Sequence, residues 1–301
     1  MGGVAVVGQL ARDLVLRIDG LPEAGSAAAV TGRRELLGGK GANCAVAVAQ
    51  LGAPVALVAA VGDDAVADDL LVQARDSGVD TSAVVRRRGA STGLIVECLE
   101  RGGAWRYLED LPEPVLVRAG DVARAEPVHT ADTVVLQAQQ PGAALLEAAR
   151  AARGRGARTV LDGAPDAEHA DELLTLVDVL RADPAEAGLL TGEQPEDARP
   201  ALSAARRLRR RGPGLVVLGA EGAGNVAVWD GGERTEPLAE VDVVDTTGGG
   251  DAMTAALTVA LRAGHGPGRA LRAGTAAAAD TVGRVGGRPS LTPAVLDGYE
   301  G

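Results

Sequence analysis

The sequence predicts an α/β fold: a doubly wound, mostly parallel sheet flanked by helices, with a small β-sheet lid. Two observations predict the main sheet. Short apolar runs alternate with Ala-rich stretches along almost all of the 301 residues, and the runs are continuous, as in strands that helices cover on both faces. A third observation predicts the lid: residues 13–37 and 91–108 alternate apolar and polar side chains, which is typical of a half-exposed sheet.

Seven apolar runs are predicted strands, and six Ala-rich stretches between them are predicted helices. The predicted strands are residues 4–7, 55–61, 133–136, 159–161, 177–180, 215–218 and 225–229. The predicted helices are residues 42–51, 64–77, 142–153, 200–211, 250–262 and 267–282. Such alternation favours parallel pairing through right-handed crossovers. No linker rich in Pro or Ser divides the chain, so we expect a single domain over residues 1–301.

The composition argues against several classes of protein. The formal net charge of −11 has the wrong sign for binding nucleic acid or an anionic membrane. No apolar run reaches 18 residues and no basic segment precedes the first one, so we expect neither a membrane span nor a signal peptide. The two cysteines, Cys44 and Cys98, cannot form a disulfide framework, and we expect a cytoplasmic protein with free thiols.

The rarest residues of the chain lie close together. Lys40 is the only lysine, and Asn43 is one of two asparagines. Both belong to GGKGAN, residues 38–43, at the start of a predicted helix, where a cation and an amide suit a polyhydroxylated ligand. The alternative is a Gly-rich loop with a solvated lysine. The motif is not a Walker A loop, because Gly41 follows the lysine where that loop has Ser or Thr.

The segment DTTGGGD, residues 245–251, leads directly into an Ala-rich predicted helix. The first turn of a helix has unsatisfied N–H groups and a positive dipole end, which favour an anion, and glycines let a phosphate approach closely. Asp251 would lie beside such a phosphate, where its carboxylate can take a proton from an attacking hydroxyl. The alternative is an ordinary Asp at the start of a helix.

Two further segments carry weaker signals. Residues 219–224, with the sequence GAEGAG, join two predicted strands and could be merely a hairpin. Asp183 and Glu186 follow another predicted strand, where two carboxylates can reach a hydrated Mg²⁺ or simply be solvated at the surface. The first strand is not followed by GxGxxG, which disfavours a dinucleotide site.

The order of these motifs resembles the ribokinase family of sugar kinases, the PfkB type. Asp13, GGKGAN, a polar residue after a strand at Gln139, the Asp183 and Glu186 carboxylates, GAEGAG and DTTGGGD follow one another along essentially the whole chain. The resemblance implies a ribokinase-like fold and an ATP-dependent kinase. Its acceptor would be a hydroxymethyl group of a pentose or related sugar, with ribose favoured.

The resemblance also implies roles for individual residues. Asp251 would be the general base, and Gly248, Gly249 and Gly250 would form the anion hole. The residues that would bind the sugar are Asp13, Gly39, Lys40, Asn43 and Gln139. The residues that would bind the nucleotide are Asp183, Gly219, Glu221, Gly222, Gly224 and Thr275. Glu186 would act on Mg²⁺ mainly through water, and an activating K⁺ would be held by Asp245, Thr247, Thr281, Arg284, Gly286 and Ser290. Family members often form homodimers through the lid, so we expect one here.

Two residues depart from the family pattern. Gln139 stands where the family usually presents a sugar-binding Glu, and Asp183 replaces the Asn of an N-x-x-E motif. These departures leave two alternatives open: a nucleoside or fructose-type kinase of the same family, and a catalytically weak regulatory protein that binds sugar or nucleotide. A lyase or glycosidase of the same fold would need no ATP, and no residue favours it.

Overall fold

The structure is a computed structural model that describes residues 2–102, 104–284 and 286–297. Its strands are β1 (Val4–Val7), β2 (Ala11–Ile18), β3 (Val30–Gly38), β4 (Val55–Gly62), β5 (Val79–Asp80), β6 (Val84–Arg87), β7 (Leu94–Glu100), β8 (Trp105–Asp110), β9 (Thr133–Gln137), β10 (Arg158–Asp162), β11 (Val179–Ala182), β12 (Leu215–Ala220), β13 (Gly224–Trp229) and β14 (Gly232–Glu236). Its helices are α1 (Lys40–Gln50), α2 (Ala65–Asp76), α3 (Ala119–Arg124), α4 (Glu126–Thr130), α5 (Gly142–Gly154), α6 (Ala170–Leu176), α7 (Pro184–Thr191), α8 (Ala198–Arg209), α9 (Gly249–Arg262) and α10 (Pro267–Val282).

The main sheet is mostly parallel and is covered on both faces. Its strands run in the order β14-β13-β12-β11-β10-β9-β1-β4-β5, with β6 also paired to β4. Only β12–β13 and β13–β14 are antiparallel pairs among these described strands. Val4 and Val6 of β1 enter a core with α1, α2, α9 and α10, while Ala5 and Val7 enter a second core with α5, α6 and α8. The predicted doubly wound architecture is confirmed.

A separate four-stranded sheet has the order β3-β2-β7-β8, and we call it the lid. Strands β2 and β7 are parallel, whereas β2–β3 and β7–β8 are antiparallel. The lid is built from the two segments with alternating side chains, so the small predicted sheet is also confirmed. Its last strand continues to Asp110, two residues beyond the predicted segment. That the whole chain forms one domain stays a prediction.

Some predicted boundaries are wrong, and several short elements were not predicted. Val177 is not in a strand, because its N–H donates to the carbonyl of Leu173 and closes α6, so β11 starts at Val179. Helices α1 and α8 each begin two residues before the predicted start. The elements not predicted are β5, β6, β14, α3, α4, α6 and α7, each of eight residues or fewer. Elements this short carry too little periodicity to be recognised.

Two further observations bear on the sequence-based expectations. No helix in the described part of the chain is long and apolar enough to cross a membrane. Cys44 is buried in α1 and Cys98 is half-buried in β7, and both are free cysteines.

Candidate active site

A cavity of about 420 Å³ lies between the lid and the ends of main-sheet strands β1, β9 and β11. Open α/β sheets bind ligands in the crevice outside the carboxyl ends of their strands, so this is the expected place for a site. The residues that line the cavity are Gln9, Asp13, Gly39, Lys40, Asn43, Ile95, Glu97, Trp105, Tyr107, Glu109, Gln139, Arg181, Asp183, Thr246, Thr247, Gly248, Gly250 and Asp251.

Helix α9 begins at this cavity with a glycine N-terminus. Gly248 is its N-cap with a φ of 75°, and a Cβ there would lie 2.0 Å from the carbonyl oxygen of Gly287, so only glycine fits. Gly248 and Gly250 line the cavity, whereas Gly249 packs against Val282. The first N–H groups of a helix have no partner within the helix. This end of α9 therefore offers backbone donors to an anion.

Asp251 lies in the first turn of α9 and is only 4% exposed. Nδ2 of Asn43 donates a hydrogen bond to its Oδ2 over 3.1 Å, which links α9 to α1. Burial raises the pKa of Asp251 to about 7, although the nearby Lys40 charge acts in the opposite direction. A carboxylate with a pKa near the working pH is suited to accept a proton and release it again.

Asp13 faces Asp251 from the lid side of the cavity. Gly38 passes so close that a Cβ would lie 1.9 Å from the Asp13 carboxyl carbon, and Gly39 has a φ of 86°, so the chain needs both glycines to enter α1 here. Burial raises the pKa of Asp13 to about 7, and the charges of Asp251 and Glu97 add to the rise. All five predicted substrate residues line this one cavity: Asp13, Gly39, Lys40, Asn43 and Gln139.

Two cations face the cavity, and a carboxylate holds each of them. Nζ of Lys40 lies 3.3 Å from Oε1 of Glu186, and Nη1 of Arg181 lies 3.0 Å from Oδ1 of Asp162. Burial opposes the charge on Lys40, but the carboxylates of Glu186, Asp251 and Asp162 together outweigh it, so the pKa of Lys40 is raised. The Arg181 guanidinium lies against Gly250, where a Cβ would be 2.8 Å from Nη1. Positive charge therefore lies beside the start of α9.

Helix α7 begins with a capping box that uses both predicted carboxylates. Oδ1 of Asp183 accepts the Glu186 N–H over 2.8 Å, and Oε2 of Glu186 accepts the Asp183 N–H over 2.9 Å. Asp183 lines the cavity, while Glu186 lies behind Lys40. Within the described ranges, no group of three or more His, Cys, Asp or Glu side chains is arranged to hold a metal ion.

The remaining residues predicted to bind nucleotide form a second group beside the cavity. Residues 219–224 are a hairpin: Gly219 and Gly224 lie on β12 and β13, and Glu221 and Gly222 form the turn. Asn225 pairs with Gly219 in register, and its Nδ2 donates to Oγ1 of Thr275 on α10 over 3.1 Å. Gly219 also packs against Pro184 at the start of α7. The hairpin and Thr275 are thus brought next to the helix that Asp183 caps.

The residues predicted to hold a monovalent cation lie where the loop before α9 meets the segment after α10. The Asp245 carboxylate accepts the N–H of Thr247 over 2.9 Å and that of Gly286 over 2.6 Å. The hydroxyl of Thr281 donates to the carbonyl of Ala277 instead. Nη1 of Arg284 donates to the carbonyl of Ser290 over 2.6 Å. The structure therefore brings these loops together, with Arg284 hydrogen-bonded to the Ser290 carbonyl.

Sequence reasoning missed eight residues of the cavity wall: Gln9, Ile95, Glu97, Trp105, Tyr107, Glu109, Arg181 and Thr246. Signals for some of them were present. Arg181 is a charged residue within an apolar strand of the parallel sheet, and Glu97 is a charged residue on a lid strand. The Tyr107 hydroxyl contacts the Thr247 hydroxyl, so the lid touches the loop that precedes α9. No pattern in the sequence pairs these two residues.

Comparison with known proteins shows which family the chain belongs to. Residues 1–294 match the family described as pfkB family carbohydrate kinase. The chain belongs to the pfkB family of carbohydrate kinases. This kinase is 28% identical over 297 residues to a ribokinase of Haemophilus influenzae, covering 96% of this chain and 94% of that protein. It is 31% identical over 264 residues to a ribokinase of Mus musculus, covering 86% and 81% of the two chains.

A solved structure extends the similarity of this kinase to the fold. The Arabidopsis thaliana ribokinase, solved in complex with ribose and ATP, matches it with a TM-score of 0.83 at 27% identity. The match covers 98% of this chain and 97% of that one. The predicted family and fold are confirmed, and the protein is a sugar kinase.

Proposed function

We propose that this kinase transfers the γ-phosphoryl group of ATP to a primary hydroxyl of a pentose, with ribose as the favoured acceptor. The proposal rests mainly on the position of Asp251. Its carboxyl group is buried, accepts a hydrogen bond from Asn43 and is adjacent to the glycines at the start of α9. Similarity to ribokinases, one of them solved with ribose and ATP, supports the choice of substrates.

In the proposed reaction the Asp251 carboxylate takes the proton of the acceptor hydroxyl. The hydroxyl oxygen bonds to the γ-phosphorus as the bond from that phosphorus to the bridging oxygen breaks, which yields a sugar phosphate and ADP. The N–H groups at the start of α9, together with Lys40 and Arg181, offset the negative charge of the transferring group. Catalysis then consists mainly of positioning and electrostatic stabilisation.

The proposal assigns the two reactants to neighbouring places. Asp13, Lys40, Asn43 and Gln139 would hold the sugar hydroxyls in the cavity, because these side chains together offer both donors and acceptors. ATP would lie along the hairpin 219–224 and Thr275, which the start of α7 connects to the cavity.

Mg²⁺ would supply charge neutralisation at the nucleotide phosphates when bound. Oε1 of Glu186 accepts from Lys40 and Oε2 from the Asp183 N–H, so neither oxygen is left without a protein donor. We therefore expect the ligands of Mg²⁺ to be phosphate oxygens and water, with Glu186 acting through water.

The residues predicted for K⁺ fit such an ion only in part, because Arg284 already donates to the Ser290 carbonyl. Dependence on K⁺ stays a prediction, checked by comparing rates in potassium and sodium buffers.

Asp251→Asn tests the proposed base. The amide cannot accept the proton, so we expect kcat to fall by about 10²–10⁴-fold while sugar and ATP still bind. ADP release and calorimetric binding measure the two effects, with Asp230→Asn, on an exposed loop, as the control. Near-normal turnover in Asp251→Asn would exclude this residue as the base.

A regulatory protein is the second candidate function. Asp183 favours it, because this carboxylate lies in the cavity wall near the proposed phosphates and would repel them. ADP release from Mg-ATP over a panel of ribose, fructose, 2-deoxyribose, tagatose and nucleosides separates the two functions. Sugar-stimulated release supports the kinase, and binding without release supports the regulator.

We also propose that two copies associate through the outer face of the lid and that the protein is cytoplasmic. Leu14, Val96 and Leu108 are cross-strand neighbours on that face, and Leu108 is 65% exposed. An apolar row of this kind favours cover by a second copy. The free cysteines are consistent with a reducing compartment.

A further inference from the structure

Glu97 is a buried carboxyl group for which the proposed reaction has no role. It lies on β7 of the lid, is 3% exposed, and lines the cavity. Its Oε1 accepts no hydrogen bond from any residue that the structure describes. A buried carboxylate without a donor is unfavourable, so its position is explained best by a donor on the ligand.

The lid places Glu97 in a row of inward-facing side chains. Glu97 pairs in register with Val15 and Tyr107, and the next row joins Asp13, Ile95 and Glu109. Cross-strand neighbours share one face of a sheet, so the carboxyl groups of Asp13 and Glu97 and the ring of Tyr107 face the same space. Oδ1 of Asp13 also has no partner among the described side chains and backbone groups.

An aromatic wall lies beside these carboxylates. The chain has only two Trp and two Tyr, and Trp105 and Tyr107 both line this cavity. Their ring centroids are 4.6 Å apart with planes inclined by 40°. Aromatic faces attract cations and pack on flat rings, and carboxylates accept hydrogen bonds from N–H groups.

The charge of the cavity wall also favours a ligand with N–H donors. Two basic side chains, Lys40 and Arg181, line it, and each is already held by a carboxylate. Five acidic side chains line it as well: Asp13, Glu97, Glu109, Asp183 and Asp251. Sugar hydroxyls can donate hydrogen bonds to these groups but leave their charge in place, whereas an ammonium substituent donates N–H groups and offsets the charge as well.

We propose that the acceptor sugar carries an N–H-bearing nitrogen substituent, which Glu97 binds while Trp105 and Tyr107 pack against it. This inference rests on the proposed kinase function, and it makes a sugar with such a substituent, instead of plain ribose, the favoured acceptor. Two sources supply the chemistry: the ammonium group of an amino sugar, and an exocyclic amino group on a planar ring attached to the sugar.

Pairs of acceptors that differ at one group test the inference. The aliphatic pairs are 2-amino-2-deoxyribose against ribose and glucosamine against glucose; the planar pairs, which differ only in the exocyclic amino group, are cytidine against 2-pyrimidinone riboside and adenosine against purine riboside. We expect kcat/KM for the amino member of one pair to exceed its partner by about tenfold or more, the effect of a hydrogen bond to a charged group. The pair that responds identifies the source.

Variants of Glu97 assign the effect to this residue. In Glu97→Gln the ratio within the responding pair should fall towards one, and Glu97→Asp should restore part of it. The control is Glu100→Gln on the same strand, whose carboxylate pairs with Arg106 instead. Melting curves confirm that each variant folds, and calorimetric binding of the same pairs replaces kinetics for any variant that binds without turnover.

Each outcome is decisive. An amino preference that Glu97→Gln removes and Glu100→Gln retains supports the inference. Equal or better use of the plain sugars overturns it and leaves the kinase proposal standing, as does a preference that Glu97→Gln does not change. If no acceptor stimulates ADP release, the kinase proposal fails. Binding of the pairs then decides the inference: tighter amino binding lost in Glu97→Gln supports it, and equal binding overturns it.

Discussion

Asp13, Glu97 and Asp251 face one cavity, and burial raises the pKa of each carboxyl group to about 7. Activity and stability should therefore change in opposite directions as the pH rises. Asp251 must be ionised to accept a proton, so kcat/KM should rise about tenfold between pH 6 and 8 and then level off. A pH–rate profile measures this change, and a profile that is flat or falls over this range would contradict the proposed base.

The stability of the unliganded protein should change in the other direction. The three groups ionise near pH 4 in the unfolded chain and near pH 7 in the folded one, so the folded state binds more protons between these values. The contribution to stability is full below pH 4 and is lost as the pH rises through 7. Melting temperatures should therefore fall from pH 5 to 8, and Glu97→Gln should make the fall shallower. An unchanged slope in that variant would show that Glu97 does not titrate in this range.

At the scale of the element, the N-cap residue of helix α7, Asp183, carries a negative charge that can be removed while its capping hydrogen bond is kept. Asp183→Asn keeps a side-chain oxygen for the Glu186 N–H but removes an anion from the cavity wall. We expect KM for ATP to fall by about fivefold, the effect of roughly 1 kcal/mol of relieved repulsion. Steady-state kinetics check it against Asp197→Asn, which changes the N-cap of α8 in the same way. A rise in KM would place the phosphates elsewhere.

The lid is the second element with a testable contact. Tyr107→Phe removes the hydroxyl that touches Thr247 and keeps the ring. We expect the lid to open more easily, so KM for the sugar should rise by about fivefold, the effect of one hydrogen bond. ADP release without sugar should rise too, since an open lid admits water. Arg106→Lys on the outer face is the control. An unchanged KM and basal rate would mean that this contact does not hold the lid.

The sequence predicts elements to different degrees for physical reasons. Strands such as β1 are recognised because buried parallel strands are continuously apolar, and the lid because its exposed face imposes alternation. The glycines at 248 and 39 are recognisable because helix starts of this kind tolerate little else. Glu97 and Arg181 were missed, because only the packing of the lid and of β11 turns their side chains into the cavity. The pairing of Arg181 with Asp162 joins two strand ends 19 residues apart, and no local pattern reports it.

At the scale of the whole molecule, the proposed dimer can be tested at the outer face of the lid. The wild-type protein should sediment at twice the mass of one chain, and Leu108→Glu should sediment as a single chain, because the change places a charge in the apolar row. The control is Val72→Glu on α2, which is also exposed but lies outside the lid. A wild-type protein of single-chain mass would contradict the proposed dimer.

The close approach of Gly248 to Gly287 has a consequence for synthesis of the protein. The carbonyl of Gly287 packs against Gly248, the N-cap of α9. The N–H of the preceding residue, Gly286, donates a hydrogen bond to the Asp245 carboxylate. Asp13, Asp251 and Gly287 are thus drawn from distant parts of the polypeptide. During synthesis, residue 287 leaves the ribosome later than Asp13 and Asp251. Phosphoryl transfer should therefore begin only after the segment around Gly287 has emerged and packed against the start of α9.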